Sequence, residues 1–179
     1  MRRSKIKSHA KINLALNIVG KIHNLHRIES IIVFASLHDE IYINKTNSKK
    51  HEISFRGKFS NNIHKTNTIS ELLKILDRKK LLKNIKYKII IDKNIPIKSG
   101  LGGGSMNAAN ILKFFLKKKI IKITSQEVFN ISQLIGSDVI LGLHSTNSII
   151  NSKNQIKRFS DCQKFYVLIV MPDFGCSTR

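Results

Sequence analysis

Cysteine is scarce in this sequence: Cys162 and Cys176 stand apart, and no Cys-x-x-Cys pair occurs. That argues against a disulfide framework and a cysteine zinc site, and it fits a reducing, cytoplasmic setting. Apolar runs are short, none approaching the length that spans a bilayer, so no membrane partner is expected. Acidic residues are few as well, 11 against 32 lysines and arginines, giving a net charge of +21. Such an excess ordinarily points to nucleic acid. Here the lysines are spread along the chain among abundant Ile and Asn, and no aromatic residues interleave with the basic runs Arg78-Lys79-Lys80 and Lys117-Lys118-Lys119. Stacking on bases therefore has no support and nucleic-acid binding is disfavoured. The charge reads as solvated faces that also favour anionic substrates. The first 28 residues hold several bases and no acid, as a targeting presequence would, but Asn13 and Asn17 break the apolar core that one needs.

What is present suffices for a packed domain, or one domain and part of another: 179 residues, 41% of them hydrophobic. Over residues 10–18, Ile12, Leu14, Leu16 and Ile18 alternate with Lys11, Asn13 and Asn17, which predicts a half-buried strand with an unusual polar face. Residues 28–35 and 40–43 read as strands joined by a polar turn at His38-Asp39, and residues 51–55, 87–91, 147–151 and 165–171 as further strands. Thr68-Ile69-Ser70-Glu71 has the capping-box pattern that opens a helix; Thr124 to Glu127 opens another that ends near Ile135. Early strands followed by helices on one side predict an α+β layer rather than alternating βαβ units.

The stretch with most chemistry in it runs from Pro96 to Ala109. It lies between the apolar run at 87–91 and a segment whose apolar residues fall at 108, 111, 112, 115 and 116, so the order is strand, glycine loop, helix. Four glycines in five positions let bare backbone approach a ligand, and the first amides of the helix lack intrahelical acceptors. Together with the helix dipole they suit a phosphate. No Lys follows the glycines as a Walker loop requires, and Ser105 stands where the dinucleotide fingerprint needs Gly. A flexible linker, or a helix capped by Ser105, is the plain alternative. On spacing alone Asp138, after the helix-terminating Gly136, is a turn or capping residue, and His26 a loop histidine; His23 and His26 have no nearby acid or cysteine to complete a metal site.

Pro96-x3-Gly100-Leu101-Gly102-Gly103-Gly104-Ser105-x-Asn107-Ala108-Ala109 resembles the second motif of the GHMP kinase superfamily. Within that superfamily the triple glycine most resembles the 4-diphosphocytidyl-2-C-methyl-D-erythritol kinases. Residues 10–16, 29–41 and 135–139 match the same kinases in the same order. The resemblance implies a ribosomal protein S5 domain 2-like N-terminal lobe over residues 1–160. Residues 161–179 would begin a C-terminal lobe that is otherwise missing. It implies ATP and Mg²⁺ as cofactors and a small-molecule alcohol as acceptor, the 2-hydroxyl of 4-diphosphocytidyl-2-C-methyl-D-erythritol in non-mevalonate isoprenoid synthesis. By that match Lys11 and Asp138 are catalytic, and Asn13 and His26 contact the substrate. Pro96, Ile97, Lys98, Ser99, Gly100, Leu101, Gly102, Gly103, Gly104, Ser105 and Met106 hold ATP, with Ser105 at the metal. Two stretches depart from the family: the turn at residues 20–26 is one residue short and lacks a Gly-Tyr pair, and Ile140 replaces a proline. An inactive remnant that keeps the fold and a basic binding module are the alternatives, and a homodimer is left open.

Overall fold

A computed structural model describes residues 4–22, 25–153, 155–160 and 164–170; His23, Cys162 and Cys176 lie outside them. A mixed sheet carries the helices on one face. Its spine is β2 (Leu25–Thr46), which pairs antiparallel with β1 (Ser4–Ile22) along one edge. The other edge of β2 takes β4 (Lys86–Asp92) at residues 40–46 and β5 (Ser148–Ile150) at residues 30–32. β6 (Ile156–Arg158) extends β5, and β3 (Glu52–Arg56) lies parallel to β4. Between β3 and β4 runs α1 (Thr68–Arg78), so one parallel βαβ crossover sits inside an otherwise antiparallel sheet. The expected layer is correct except at this unit. The remaining helices are α2 (Gly103–Lys117), α3 (Ser125–Ile135) and the short α4 (Val139–Gly142). No helix among the described residues is long and apolar enough to cross a membrane.

The core lies where the period-two faces of β2 and β4 meet the helices. Ile41, Ile43, Ile89 and Ile91 pack with Leu72 and Leu76 of α1 and with Ile111, Leu112 and Phe115 of α2. α3 opens on the Thr124–Glu127 capping box that the sequence predicts. α1 starts one residue earlier than its pattern suggests. Asn67 accepts from the N–H groups of Ile69 and Ser70, a stronger cap than threonine provides, which frees the Thr68 hydroxyl to donate to Gly104 O at 2.8 Å.

Three expectations are corrected. No turn separates residues 28–35 from 40–43: β2 is continuous, and between the pairs His9↔His38 and Lys11↔Phe34 two steps of β1 face four of β2. A bulge absorbs the excess, and Asp39 is buried with partners of its own, which no turn residue would have. Second, the alternation of β1 predicts two faces without saying which is covered. Lys11 is 7% exposed, whereas Leu14, Leu16 and Ile18 are 46%, 55% and 68% exposed. Third, residues 164–170 form no strand and are exposed; apolar content alone does not make a strand without a neighbour to pair with.

Asp77 near the end of α1 accepts from Lys86 Nζ at 2.5 Å, and His51 Nε2 lies 3.2 Å from the same oxygen. Burial pushes this carboxyl up, but the hydrogen bond from Lys86 and the neighbouring His51 ring outweigh it and hold Asp77 below its ordinary 3.8. A carboxylate lowered in the folded state stabilises the fold above its unfolded pKa and loses that contribution as the pH falls through the folded value. The melting-temperature gap between wild type and Asp77→Asn is therefore expected to be full near neutral pH and to close as the pH drops below 3.8. A gap independent of pH would contradict this assignment.

Candidate active site

The glycine loop leaves β4 and enters α2. Its backbone has positive φ at Lys98, Gly100 and Gly102 (54°, 75° and 68°) and negative φ between them, an alternation that turns successive N–H groups toward one concavity. α2 begins without a side-chain cap: Gly102 is its N-cap, and the first helical bond runs from Met106 N–H to Gly102 O. The amides of Gly103, Gly104 and Ser105 precede that bond and have no acceptor among the described residues. The loop forms one wall of a cavity of about 320 Å³, with Phe55, Ile63, Asn67 and Thr68 opposite and the buried Lys93 and Asn107 between. Residues 96–105 all line it. Met106 does not: it is fully buried in a cluster with Ile32 of β2 and Leu141 of α4, on the side of α2 turned away from the cavity. Ser105 therefore stands in the first turn of the helix and does not cap it.

β1 brings Lys11 to the far side of this loop. Its N–H donates to Leu101 O at 3.0 Å, and its side chain crosses Gly102 so closely that a Cβ there would lie 2.9 Å from Lys11 Cγ. The ammonium ends between Asn13 Oδ1 at 2.8 Å and Asp138 Oδ2 at 3.1 Å. Asp138 stands in the turn before α4, at its N-cap position, but makes no side-chain capping bond there; its carboxylate pairs with Lys11 instead. Ser105 lies on the same side, its Oγ 3.8 Å from where a Cβ on Gly136 would be.

A residue not singled out in the sequence completes the cluster. Asn13 Nδ2 donates to Ser30 Oγ at 2.7 Å, and the Ser30 hydroxyl donates to Ala15 O at 2.7 Å. With its proton committed to Ala15, Ser30 offers Asn13 only an acceptor, which fixes the amide with Oδ1 toward Lys11. Nothing in the local sequence marks Ser30, since its role depends on pairing across from Leu16. His26 is not brought to this cluster: it pairs with Lys21 at the hairpin end of β2, eight residues along the strand from Phe34, the partner of Lys11. That separation is roughly 25 Å along the strand.

Residues 67–149, from the cap of α1 through the glycine loop and Asp138 to β5, match the family described as GHMP kinases N terminal domain. Over these residues the chain is similar to a GHMP kinase N-terminal domain. All 179 residues align at 56% identity with the 4-diphosphocytidyl-2-C-methyl-D-erythritol kinase of Pelagibacter ubique and cover 64% of that protein. The enzyme of the same name from Finegoldia magna is 31% identical over 98% of this chain and 63% of its own length. The crystal structure of a 4-(cytidine 5'-diphospho)-2C-methyl-D-erythritol kinase shares the fold, with a TM-score of 0.67 at 20% identity over 87% of this chain and 55% of that one. The chain thus spans less than two thirds of the length of these relatives.

Gly102 and Gly100 both hold left-handed conformations, but a side chain at Gly100 meets nothing within 4 Å whereas one at Gly102 collides with Lys11. Each Ala substitution is expected to cost about 1–2 kcal/mol for the φ alone. Gly102→Ala is expected to be the less stable of the two in urea unfolding. Equal stability would show that the contact with Lys11 constrains nothing.

Proposed function

We propose that this chain takes part in transferring the γ-phosphoryl group of ATP to an alcohol, and that the alcohol is the 2-hydroxyl of 4-diphosphocytidyl-2-C-methyl-D-erythritol. The observation that carries the reading is the Lys11 ammonium, buried against the glycine loop and ion-paired with Asp138. Phosphoryl transfer asks little covalent chemistry of a protein; it asks for donors around the phosphates, a cation, and an acceptor for the hydroxyl proton. The amides of residues 103–105 and the concave loop before them supply the donors. Lys11 offsets the negative charge that builds on the transferred oxygens. Asp138 orients the hydroxyl and takes its proton as the oxygen attacks phosphorus and the bond to the β-phosphate oxygen breaks, releasing ADP. Asn13 holds the ammonium in place. The choice of acceptor follows the names of the relatives at 56% and 31% identity.

The residues present fit Mg²⁺. The Ser105 hydroxyl, in the open first turn of α2, is a hard oxygen donor of the kind this ion takes beside phosphates. When bound it would neutralise phosphate charge.

ADP release with Mg-ATP and the diphosphocytidyl alcohol tests the reading. Asp138→Asn is expected to slow turnover by about 10²- to 10⁴-fold, the usual worth of a positioned base, with Mg-ATP affinity changed little. Unchanged turnover would remove Asp138 from the chemistry.

A further inference from the structure

We propose that Asp39 is a positioning residue of the glycine loop, holding both ends of the segment that contacts phosphate; this rests on the phosphate reading above. Asp39 is fully buried on β2, at the bulge facing β1. Its Oδ1 accepts from the N–H groups of Asn94 and Ile95, each at 2.8 Å, where the chain leaves β4 for the loop. Its Oδ2 accepts from the Lys93 ammonium and, at 2.8 Å, from Asn107 Nδ2 in α2. One carboxylate therefore clamps residues 93–95 and residue 107, and everything between them is the loop and the open first turn of the helix.

Two further observations tie the clamp to the loop's function rather than to packing alone. The Lys93 ammonium lies under the start of α2, 3.2 Å from where a Cβ on Gly103 would be, and it lines the cavity. Pairing with Asp39 lets this buried cation sit beneath the anion site without an uncompensated charge. A carboxylate only accepts, so Asn107 must turn its Nδ2 toward Asp39, and Asn107 Oδ1 is then left buried without a donor among the described residues. Asn107 also lines the cavity, so the same amide joins the clamp to the anion site.

Two variants test the clamp: the charge-balanced Asp39→Asn/Lys93→Met pair, which leaves no lone buried charge, and Asn107→Ala, which cuts only the tie to α2. Amide hydrogen exchange of the ligand-free protein and equilibrium binding of Mg-ATP and of adenosine are measured for each. In both variants exchange of the Lys11 and Met106 amides, which bond to the loop at Leu101 O and Gly102 O, is expected to quicken by about tenfold or more while α3 is unchanged. Mg-ATP binding is expected to weaken by about tenfold and adenosine binding by less than about twofold, because only the former uses the loop. Exchange that rises equally throughout the chain, or a loop and an ATP-to-adenosine ratio that stay as in wild type, would overturn the proposal. If the double variant fails to fold, Asn107→Ala decides by the same readouts. If wild type binds neither ligand, the phosphate reading fails, while the exchange comparison still decides whether Asp39 sets the loop.

Discussion

The buried Lys11 ammonium is the constraint on which the arrangement of the site depends. A lysine is accommodated inside a fold only if its charge is met, and here it is met from two directions, by the Asp138 carboxylate and the Asn13 amide oxygen. Each partner comes from a different place: Asn13 from the same strand, Asp138 from the turn between α3 and α4. The stem of the side chain lies on Gly102, and the backbone N–H of the same residue holds Leu101. One residue thus joins the first strand, the glycine loop and the turn after α3, and a change in any of them displaces the other two.

The fold makes that convergence possible through the length of β2. Its one edge carries β1, with Lys11 and Asn13, along its whole length. Its other edge is shared between β4, which delivers the loop, and β5, which follows α4. Ser30 on β2 fixes the Asn13 amide from below, and Asp39 on the same strand fixes the loop. The strand that looks least chemical in the sequence therefore sets the relative placement of the others. The net charge of +21 plays a lesser part: at the site Lys11 and Lys93 are buried and paired and Lys98 is an exposed residue of the loop, whereas Lys5, Lys74 and Lys88 bridge acids elsewhere. Exposed pairs of that kind contribute little to stability.

Strand, loop and helix around residues 96–109 were legible because glycine and period are local signals, and the loop residues from Pro96 to Ser105 do line the cavity. The placement of Met106 was not, because membership of a motif does not say which way a helical residue turns. Lys11 and Asp138 stood out only through resemblance; read alone, one is a strand lysine and the other a turn residue, and their 3.1 Å contact joins positions far apart in the chain. The continuity of β2 was hidden by His38-Asp39, whose composition suits a turn until the buried donors around Asp39 are seen. The exposed side of β1 was hidden for a related reason: alternation defines two faces, and tertiary packing decides which of them is covered. Ser30 left no trace, since a serine in a strand has no pattern of its own.

The most direct test of the account is a titration of the ¹⁵N-labelled chain with Mg-ATP, followed by amide chemical shifts. Phosphate bound by the loop beside Lys11 predicts saturable shifts concentrated in residues 99–105 and at Lys11, with α3 silent. Shifts confined to the basic groove lined by Lys49, Lys74 and Lys86, or spread without saturation over the lysine-rich surface, would contradict it and leave the charge, not the loop, as the anion binder.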